Sequence, residues 1–326
     1  MRILVTGANG FVGKHLLDSL VQQEGCDIIA AGGPTMRDEM IRRMVEDGRY
    51  PDRVQWIPMD MTDQTLVDQV IRMIRPHQVY HLAGIATTSG SDNEEYYQVN
   101  AEGTHHLAKS ILTHMGDSCR LLHISSASVY GKQSSSVLRM DESHVLCPVN
   151  AYGASKAAAE MMLWPLYHQG LNMRIARPFN HTGQGQQGGF VCADLINKLK
   201  KEMKNRKSSN DQIEIEVARL DSKRDFSDVR DVVAAYVSIM NECDSGTVVN
   251  VASGNGYAIQ DIVNMLHDVL EGVVEFTVVN HNFHDDADTD RMVGDSSKLK
   301  LLTGWSTKVS MEETLLEMCR EKGILI

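Results

Sequence analysis

The sequence predicts an α/β protein with a doubly wound parallel sheet and a smaller α/β lobe formed largely by the C-terminal part of the chain. Two observations support this fold class. Seven short runs are mostly apolar on both faces, as strands buried on both faces of a parallel sheet are, and amphipathic stretches of helix length separate them. The chain also has 326 residues, of which 42% are hydrophobic and 23% charged, which is enough apolar material for a large core. The runs are Ile3 to Val5, Asp27 to Ala31, Val54 to Ile57, Val79 to Leu82, Leu121 to Ile124, Met173 to Ala176 and Val248 to Val251.

The pattern changes after Arg177, where a loop rich in Gly and Gln at 181–189 leads into a basic polar stretch at 200–211. An acidic stretch, HNFHDDADTD, follows much later at 281–290. We therefore expect one domain over 1–180, to which 229–253 returns, and a second lobe made of 181–228 and 254–326.

Charge and cysteine content exclude several classes of partner. The chain carries 32 Lys and Arg against 43 Asp and Glu, a net charge of −11, which repels nucleic acid and anionic lipid surfaces. No apolar stretch is long enough for a membrane span, and the chain starts directly with a strand pattern instead of a signal peptide. The six cysteines are scattered without metal-ligand spacing. We expect a cytoplasmic protein with no metal site, no nucleic-acid partner and no membrane partner.

The first strand pattern runs into the segment Thr6-Gly7-Ala8-Asn9-Gly10-Phe11-Val12-Gly13, and a helix pattern starts there. Glycines in such a turn let backbone N–H groups approach a pyrophosphate and let the helix pack close to the strand. The G-x-x-G-x-x-G spacing predicts the dinucleotide-binding turn of a Rossmann fold, and a glycine-rich turn without a ligand is the alternative. The residues expected to contact the cofactor here are Gly7, Asn9, Gly10, Phe11, Val12 and Gly13.

The end of the second strand decides which dinucleotide is expected. An acid there would bind a free ribose 2′-hydroxyl, but the segment 28–37 has none and its first charged residue is Arg37. A guanidinium suits a 2′-phosphate, so NADP is favoured and NAD stays possible. Arg37 could instead be a solvated loop residue. Asp60, with Met61 beside it, follows the third strand and could accept a hydrogen bond from the adenine amine.

Three residues form a candidate reacting centre. Tyr152 and Lys156 are four positions apart in a helix pattern and so share a face. An ammonium near a phenol favours the phenolate and is expected to lower its pKa. Ser126 follows the apolar run that ends at Ile124, which places it at the carboxyl end of a strand, where ligands bind in such sheets. Ser125 could take the serine role instead, and Tyr152 could be a packing residue.

These motifs resemble those of the extended short-chain dehydrogenase/reductase family, together with His81-Leu82-Ala83-Gly84 and the segment at 100–104. The motifs occur in the same order as in that family, and the resemblance covers essentially the whole chain. The resemblance implies that Ser126 binds the substrate oxygen, Tyr152 is the acid/base, and Lys156 holds the nicotinamide ribose. It also places Leu82 and Ala83 at the cofactor.

Two later segments resemble the nucleotide-sugar branch of that family. The first is Arg177-Pro178-Phe179-Asn180-His181-Thr182-Gly183, and the second starts at Lys223-Arg224-Asp225. The resemblance implies that Asn180 and Arg224 bind the nucleotide sugar, with Ser126 and Tyr152, and that the second lobe is the substrate lobe. Arg224 could instead form an ion pair with Asp225 or Asp228.

The residues that follow Ser126 reduce the number of reactions that can be expected. Dehydratases in this family have an Asp-Glu pair there, whereas this chain has Ala127 and Ser128, which cannot supply an acid and a base. The Gln/Gly loop and Phe190-Val191 resemble reductases of GDP-linked sugars. The expected activity is NADPH-dependent reduction of the 4-keto group of a nucleotide-diphospho-4-keto-6-deoxyhexose, GDP-linked being favoured. The alternatives are an epimerase that retains NAD(P) and a non-catalytic NAD(P)-binding regulatory protein.

A homodimer is also expected. The helix with Tyr152 and Lys156 continues through small and apolar residues, and the stretch 100–115 is apolar on one side. In the family that this chain resembles, the two corresponding helices pair with their copies across a two-fold axis.

Overall fold

The computed structural model describes residues 1–33, 50, 53–86, 93–134, 136–206, 213–218, 220–271, 273–281 and 291–325. Its strands are β1 (Arg2–Thr6), β2 (Asp27–Gly32), β3 (Val54–Pro58), β4 (Gln78–His81), β5 (Arg120–Ile124), β6 (Met173–Pro178), β7 (Asn180–Thr182), β8 (Ile213–Ala218), β9 (Lys223–Asp228), β10 (Val248–Val251), β11 (Gly256–Ala258), β12 (Phe276–His281) and β13 (Arg291–Met292). Its α-helices are α1 (Phe11–Leu20), α2 (Gln64–Ile74), α3 (Asn93–Tyr96), α4 (Gly103–Met115), α5 (Ala151–Tyr167), α6 (Val191–Asn205), α7 (Val229–Glu242), α8 (Ile259–Val269), α9 (Ser297–Thr303) and α10 (Met311–Glu321). Between α3 and α4 the chain forms a π-helix over Tyr97–Glu102.

Seven parallel strands form the main sheet in the order β10-β6-β5-β4-β1-β2-β3. The predicted doubly wound parallel sheet is therefore confirmed, and each of the seven apolar runs lies in one of its strands. The order reverses between β1 and β4. In such sheets a ligand binds beside this reversal, at the carboxyl ends of the strands.

Alternate residues of the central strands are buried on opposite faces, which explains why these strands are apolar throughout. Ile3 and Val5 of β1 pack with α1 and α7, whereas Leu4 packs with α2, α4 and α5. Helices thus cover both faces, and β10 and α7 return to the main sheet after the chain has left it.

The rest of the chain forms two small sheets, which the sequence did not predict strand by strand. One contains β9 paired with β7, β11 and β13, and the other pairs β8 with β12. A second apolar core lies between these strands and the helices α6, α8 and α10. Most of these strands are short or carry charges on alternate residues, so they lack the continuous apolar runs that identify the main sheet.

Among the described helices none combines the length and the apolar composition that a bilayer crossing needs.

Candidate active site

The predicted dinucleotide turn joins β1 to α1 at the strand-order reversal. Gly7 has a φ of +68°, and a Cβ there would lie 2.7 Å from the backbone nitrogen of Ala83, so only glycine fits. Gly10 precedes the first residue of α1 and its N–H donates to the Gly7 carbonyl over 3.0 Å. The first turn of α1 has no acidic residue and no side-chain cap, which leaves its N-terminal partial positive charge available to an anion.

The remaining predicted cofactor residues surround this turn. The turn itself contains Asn9, and Phe11, Val12 and Gly13 form the first turn of α1. Leu82 and Ala83 directly follow β4, and both of their backbone N–H groups bond to Thr6 of β1. Asp60 and Met61 follow β3, where Asp60 accepts hydrogen bonds from the backbone and hydroxyl of Thr62. Arg37 lies outside the described residues.

Lys156 lies buried at the carboxyl ends of β4 and β5. Its ammonium donates to the Ile124 carbonyl over 2.9 Å, and a Cβ at Gly84 would lie 3.2 Å from Nζ. Burial lowers the pKa of Lys156 to about 8, against the attraction of Glu160, which acts in the opposite direction. Lys156 therefore carries its charge at neutral pH but loses it in mildly alkaline solution.

Tyr152 lies one turn before Lys156 on α5, with the Ser126 side chain near its hydroxyl. Burial raises the pKa of Tyr152, and the neighbouring Ser126 hydroxyl only partly offsets this. The sequence predicted a lowered pKa for Tyr152, but the net shift is upward. Loss of water around the phenol outweighs the favourable contacts. A protonated phenol is the form that can donate a proton.

The two neighbouring serines have different environments. Ser126 caps the turn Ala127–Val129, where its oxygen accepts from the Ser128 N–H over 3.1 Å, and it contacts Tyr152. Ser125 instead donates to the buried carboxylate of Glu160. The geometry therefore favours Ser126 over Ser125 as the serine that faces a substrate oxygen.

Asn100 belongs to the motif at 100–104, for which the sequence analysis predicts no role in the site. It lies in the π-helix, fully buried, where its amide nitrogen donates to the Ile85 carbonyl and to the Ser155 hydroxyl over 3.1 and 3.0 Å. Its amide oxygen accepts from the Ile85 N–H over 2.8 Å. Asn100 thus fixes the segment after β4 against the helix that carries Tyr152 and Lys156. A π-helical turn often marks a functional position, but it is not visible in the sequence.

The two predicted substrate residues lie on neighbouring strands of the small sheet that contains β9. Asn180 starts β7 and pairs in register with Phe226 of β9, two residues from Arg224. The Asn180 amide nitrogen is buried and has no hydrogen-bond partner among the residues that the structure describes. A buried donor of this kind is costly, so it points to a ligand as its partner.

The acids that could have neutralised Arg224 have other partners. Asp225 accepts hydrogen bonds from Ser253, from the Gly254 N–H and from the Gly294 N–H. Asp228 forms an ion pair with Arg230, at 2.9 Å, and accepts from Thr314. Arg224 donates to its neighbour's carbonyl at Lys223 over 2.9 Å. The alternative of an Asp225 or Asp228 ion pair is therefore disfavoured.

Phe11 of the dinucleotide turn lies over the ring of His181, three residues after Pro178 and next to Asn180, with ring centroids 6.3 Å apart and planes nearly parallel. The predicted dinucleotide turn therefore packs beside the segment that contains Asn180. Taken together, the site offers a proton donor, a second hydroxyl beside it, a cation, an anion-binding helix end and a buried amide donor at one edge of the sheet.

Comparison with known proteins identifies the family. The family model for GDP-mannose 4,6 dehydratase matches residues 4–318, nearly the whole chain. The chain belongs to this family. It is thus an extended short-chain dehydrogenase/reductase, and the resemblance in the sequence motifs is confirmed.

Two relatives of the family match over almost their full length. A GDP-6-deoxy-D-mannose reductase of Pseudomonas aeruginosa is 31% identical over 319 residues, which cover 96% of this chain and 94% of the relative. A GDP-6-deoxy-D-talose 4-dehydrogenase of Aggregatibacter actinomycetemcomitans is 28% identical over 325 residues and is covered to 99%. The solved structure of RMD from Pseudomonas aeruginosa complexed with NADPH superposes with a TM-score of 0.79 at 27% identity, covering 98% of each chain.

The family model is named after a dehydratase, but this chain lacks an acid and a base for water loss at the positions after Ser126. Ala127 is apolar and buried, and Ser128 contributes its backbone N–H to Ser126. Neither side chain can act as a general acid at neutral pH.

Proposed function

We propose that this enzyme reduces the 4-keto group of a nucleotide-diphospho-4-keto-6-deoxyhexose with NADPH, and that the nucleotide is GDP. The observation that carries the proposal is the placement of Ser126 beside the Tyr152 hydroxyl, close enough to lower its pKa, at the carboxyl end of β5, where Ala127 and Ser128 follow in place of an acid/base pair. The names of the two relatives, a reductase and a 4-dehydrogenase of GDP-linked 6-deoxy sugars, support the sugar position and the nucleotide.

Each site residue has its own role in the proposed reduction. Tyr152 donates its phenolic proton to the oxygen at C4 as that oxygen gains charge, and Ser126 donates a hydrogen bond to the same oxygen. Lys156 binds the nicotinamide ribose and keeps a positive charge beside the phenol. NADPH, when bound, supplies the hydride. The turn at Gly7, Asn9 and Gly10 and the first turn of α1 (Phe11, Val12 and Gly13) would hold its pyrophosphate, and Asp60, Met61, Leu82 and Ala83 would line its adenosine and nicotinamide ends.

Asn180 and Arg224 are proposed to bind the sugar diphosphate. The unpartnered Asn180 donor supports this role, as does the need of an acidic protein for a placed guanidinium when it binds a dianion. We also propose that residues 181–228 and 254–326 form the substrate lobe on the dinucleotide-binding domain of 1–180 and 229–253.

The decisive experiment offers GDP-, dTDP-, UDP- and CDP-linked 4-keto-6-deoxy sugars with NADPH and follows nicotinamide absorbance. Stoichiometric NADPH consumption with the GDP sugar is expected. Conversion of a 4-hydroxy nucleotide sugar to its C4 epimer without net NADPH consumption would show the epimerase instead. Binding of NADPH without turnover of any sugar would favour the regulatory alternative.

Arg37 is proposed to select NADPH through the 2′-phosphate. Arg37→Ala should weaken NADPH binding by about 10- to 100-fold, because a charge-assisted hydrogen bond contributes about 1.5 to 3 kcal/mol. NADH binding, measured in the same fluorescence titration, should change little. Equal losses for both cofactors would remove Arg37 as the discriminating residue and favour NAD.

We further propose a cytoplasmic homodimer. All six cysteines are free thiols, as expected in a reducing compartment. Met161 on α5 is 52% exposed, which leaves an apolar position available on the helix that pairs in relatives of this fold. A monomer mass in light scattering at micromolar concentration would contradict the dimer.

A further inference from the structure

Glu160 is a fully buried carboxylate one helical turn after Lys156 on α5. Arg177, at the end of β6, binds it with two donors: Nη2 lies 2.6 Å from Oε2 and Nε lies 3.0 Å from Oε1. Ser125 donates to Oε1 as well. A buried ion pair is costly to assemble and is weak evidence for a stabilising role on its own, so its place beside the site calls for another explanation.

The pair is linked to the reacting centre on two sides. Ser125, which the carboxylate holds, directly precedes Ser126. Lys156 donates to the carbonyl of Ile124, the residue before Ser125. The carboxylate thus binds the residue directly before Ser126 and lies on α5 one helical turn after Lys156.

Arg177 is held from its other side. Its Nη1 donates to the Tyr130 hydroxyl over 3.0 Å, and Tyr130 in turn donates to the Asn250 amide oxygen over 2.6 Å. The guanidinium carbon also lies 5.0 Å from the centre of the Tyr130 ring. These contacts tie the arginine on β6 to Tyr130 and, through Tyr130, to Asn250 on β10, so the carboxylate that it binds has little freedom to move.

Glu160 is the charged partner that acts on Lys156 from within the fold. The ionisable groups that face Lys156 from β4 and β5 are His81 and His123, and burial keeps both neutral, lowering the pKa of His81 to about 3 and that of His123 well below its usual value. Tyr152, one turn before it on α5, is protonated because burial raises its pKa. The negative charge of Glu160 favours the ammonium form of Lys156.

We propose that Glu160 is a positioning residue of the reaction: its carboxylate keeps Lys156 charged and holds Ser125 so that Ser126 faces Tyr152, while Arg177 keeps the carboxylate itself in place. The inference rests on the proposed function, because Lys156 acts through a bound dinucleotide. Because Glu160 is fully buried, the proposal gives it no contact with substrate or cofactor.

The test follows NADPH binding across pH 6 to 10 by fluorescence titration. In the wild type, affinity should fall as Lys156 loses its proton, with a midpoint near the pKa of about 8. Glu160→Gln removes the charge that favours the ammonium, so the midpoint should move to lower pH by about one unit, within the range that a nearby opposite charge produces. Glu160→Asp keeps the charge and should keep the midpoint near that of the wild type.

Two further variants separate charge from folding and from position. Glu160→Gln alone leaves a buried guanidinium without its partner, which is strongly destabilising, so the double variant Glu160→Gln/Arg177→Met is measured beside it and should show the same displaced midpoint. Ser125→Ala keeps both charges. It should leave the midpoint in place and lower kcat severalfold through the loosened Ser126.

The outcomes are distinguishable. If the wild type binds neither NADPH nor NADH, the proposed function itself fails. If the wild type binds NADPH but the midpoints of Glu160→Gln and of the double variant stay within about 0.3 units of it, the positioning role of Glu160 is overturned. A midpoint displaced equally by Glu160→Asp would overturn it as well.

Discussion

The two sides of the active site differ in how their buried polar groups are satisfied. On the catalytic side, at the ends of β4 and β5, Asn100, Lys156 and Ser125 each have partners within the chain. On the lobe side, the buried Asn180 amide nitrogen on β7 and the Ser227 hydroxyl on β9 have no partner among the described residues. The protein therefore completes the hydrogen bonds of these three groups on the catalytic side and leaves these two groups on the lobe side without a described partner.

This difference has a chemical reason. A proton donor and its cation must have their geometry set in advance, because reorganisation during the reaction costs rate. A residue that binds a diphosphate gains most when its donor has no competing partner in the free protein, since no hydrogen bond must be broken first. For the proposed reaction, the bonded groups of the catalytic side would set positions in advance, and the unpartnered groups of the lobe side would be available for binding.

The largest effect is expected on the catalytic side, for Tyr152→Phe. This change removes the proton donor and keeps the ring, so turnover should fall by about 10²- to 10⁴-fold, the usual contribution of general acid catalysis. NADPH binding should survive because Lys156 is untouched. Stopped-flow absorbance and a binding titration measure the two quantities.

Ser126→Ala serves as the graded comparison for Tyr152→Phe. It removes one hydrogen bond to the carbonyl oxygen and leaves the acid, so its cost in turnover should be smaller. Near-normal turnover of the Phe variant would show that Tyr152 is not the acid, and loss of NADPH binding would show that its ring has a structural role.

An intermediate effect is expected on the lobe side, for Asn180→Ala. Because the Asn180 amide nitrogen has no partner among the described residues, the melting temperature should change little. The KM for the nucleotide sugar should rise by about 10- to 100-fold, because a hydrogen bond to a charged group contributes about 1.5 to 3 kcal/mol. Steady-state kinetics and thermal melting are the measurements.

Asn250→Ala is the matched control for Asn180→Ala. The Asn250 side chain accepts from Tyr130 and donates to the Met140 and Asp295 carbonyls, so its loss should lower the melting temperature by several degrees. If Asn180→Ala destabilised the protein as much as Asn250→Ala, the Asn180 side chain would have a structural role instead.

The sequence predicted those features of the fold and the site that depend on a local sequence pattern. The Gly7 turn, the apolar strands and the spacing of Tyr152 and Lys156 are local features, and each lies where it was expected. The ion pair of Glu160 and Arg177 joins a helix to a strand, and neither residue has a pattern that marks it as buried. The net direction of the Tyr152 pKa was also missed, because burial depends on packing from several elements.

The smallest effects are expected for two histidines on the catalytic side. His81 and His123 pair across β4 and β5 with ring centroids 5.5 Å apart. His81 lies 2.7 Å from the Thr6 hydroxyl and 2.9 Å from the Thr104 hydroxyl, whereas neither ring nitrogen of His123 has a partner among the described residues. Both are buried and neutral.

Replacing each histidine by leucine should therefore affect the free energy of unfolding differently. His81→Leu removes two buried hydrogen bonds and should destabilise the protein by about 1 to 3 kcal/mol. His123→Leu removes none and relieves the cost of a desolvated ring, so the free energy of unfolding should stay within about 1 kcal/mol of the wild type or rise. Urea denaturation at pH 7 measures both. A loss for His123→Leu as large as that for His81→Leu would show that the His123 ring nitrogens have a partner, such as buried water, and that the catalytic side is more completely bonded than the distances between its side chains indicate.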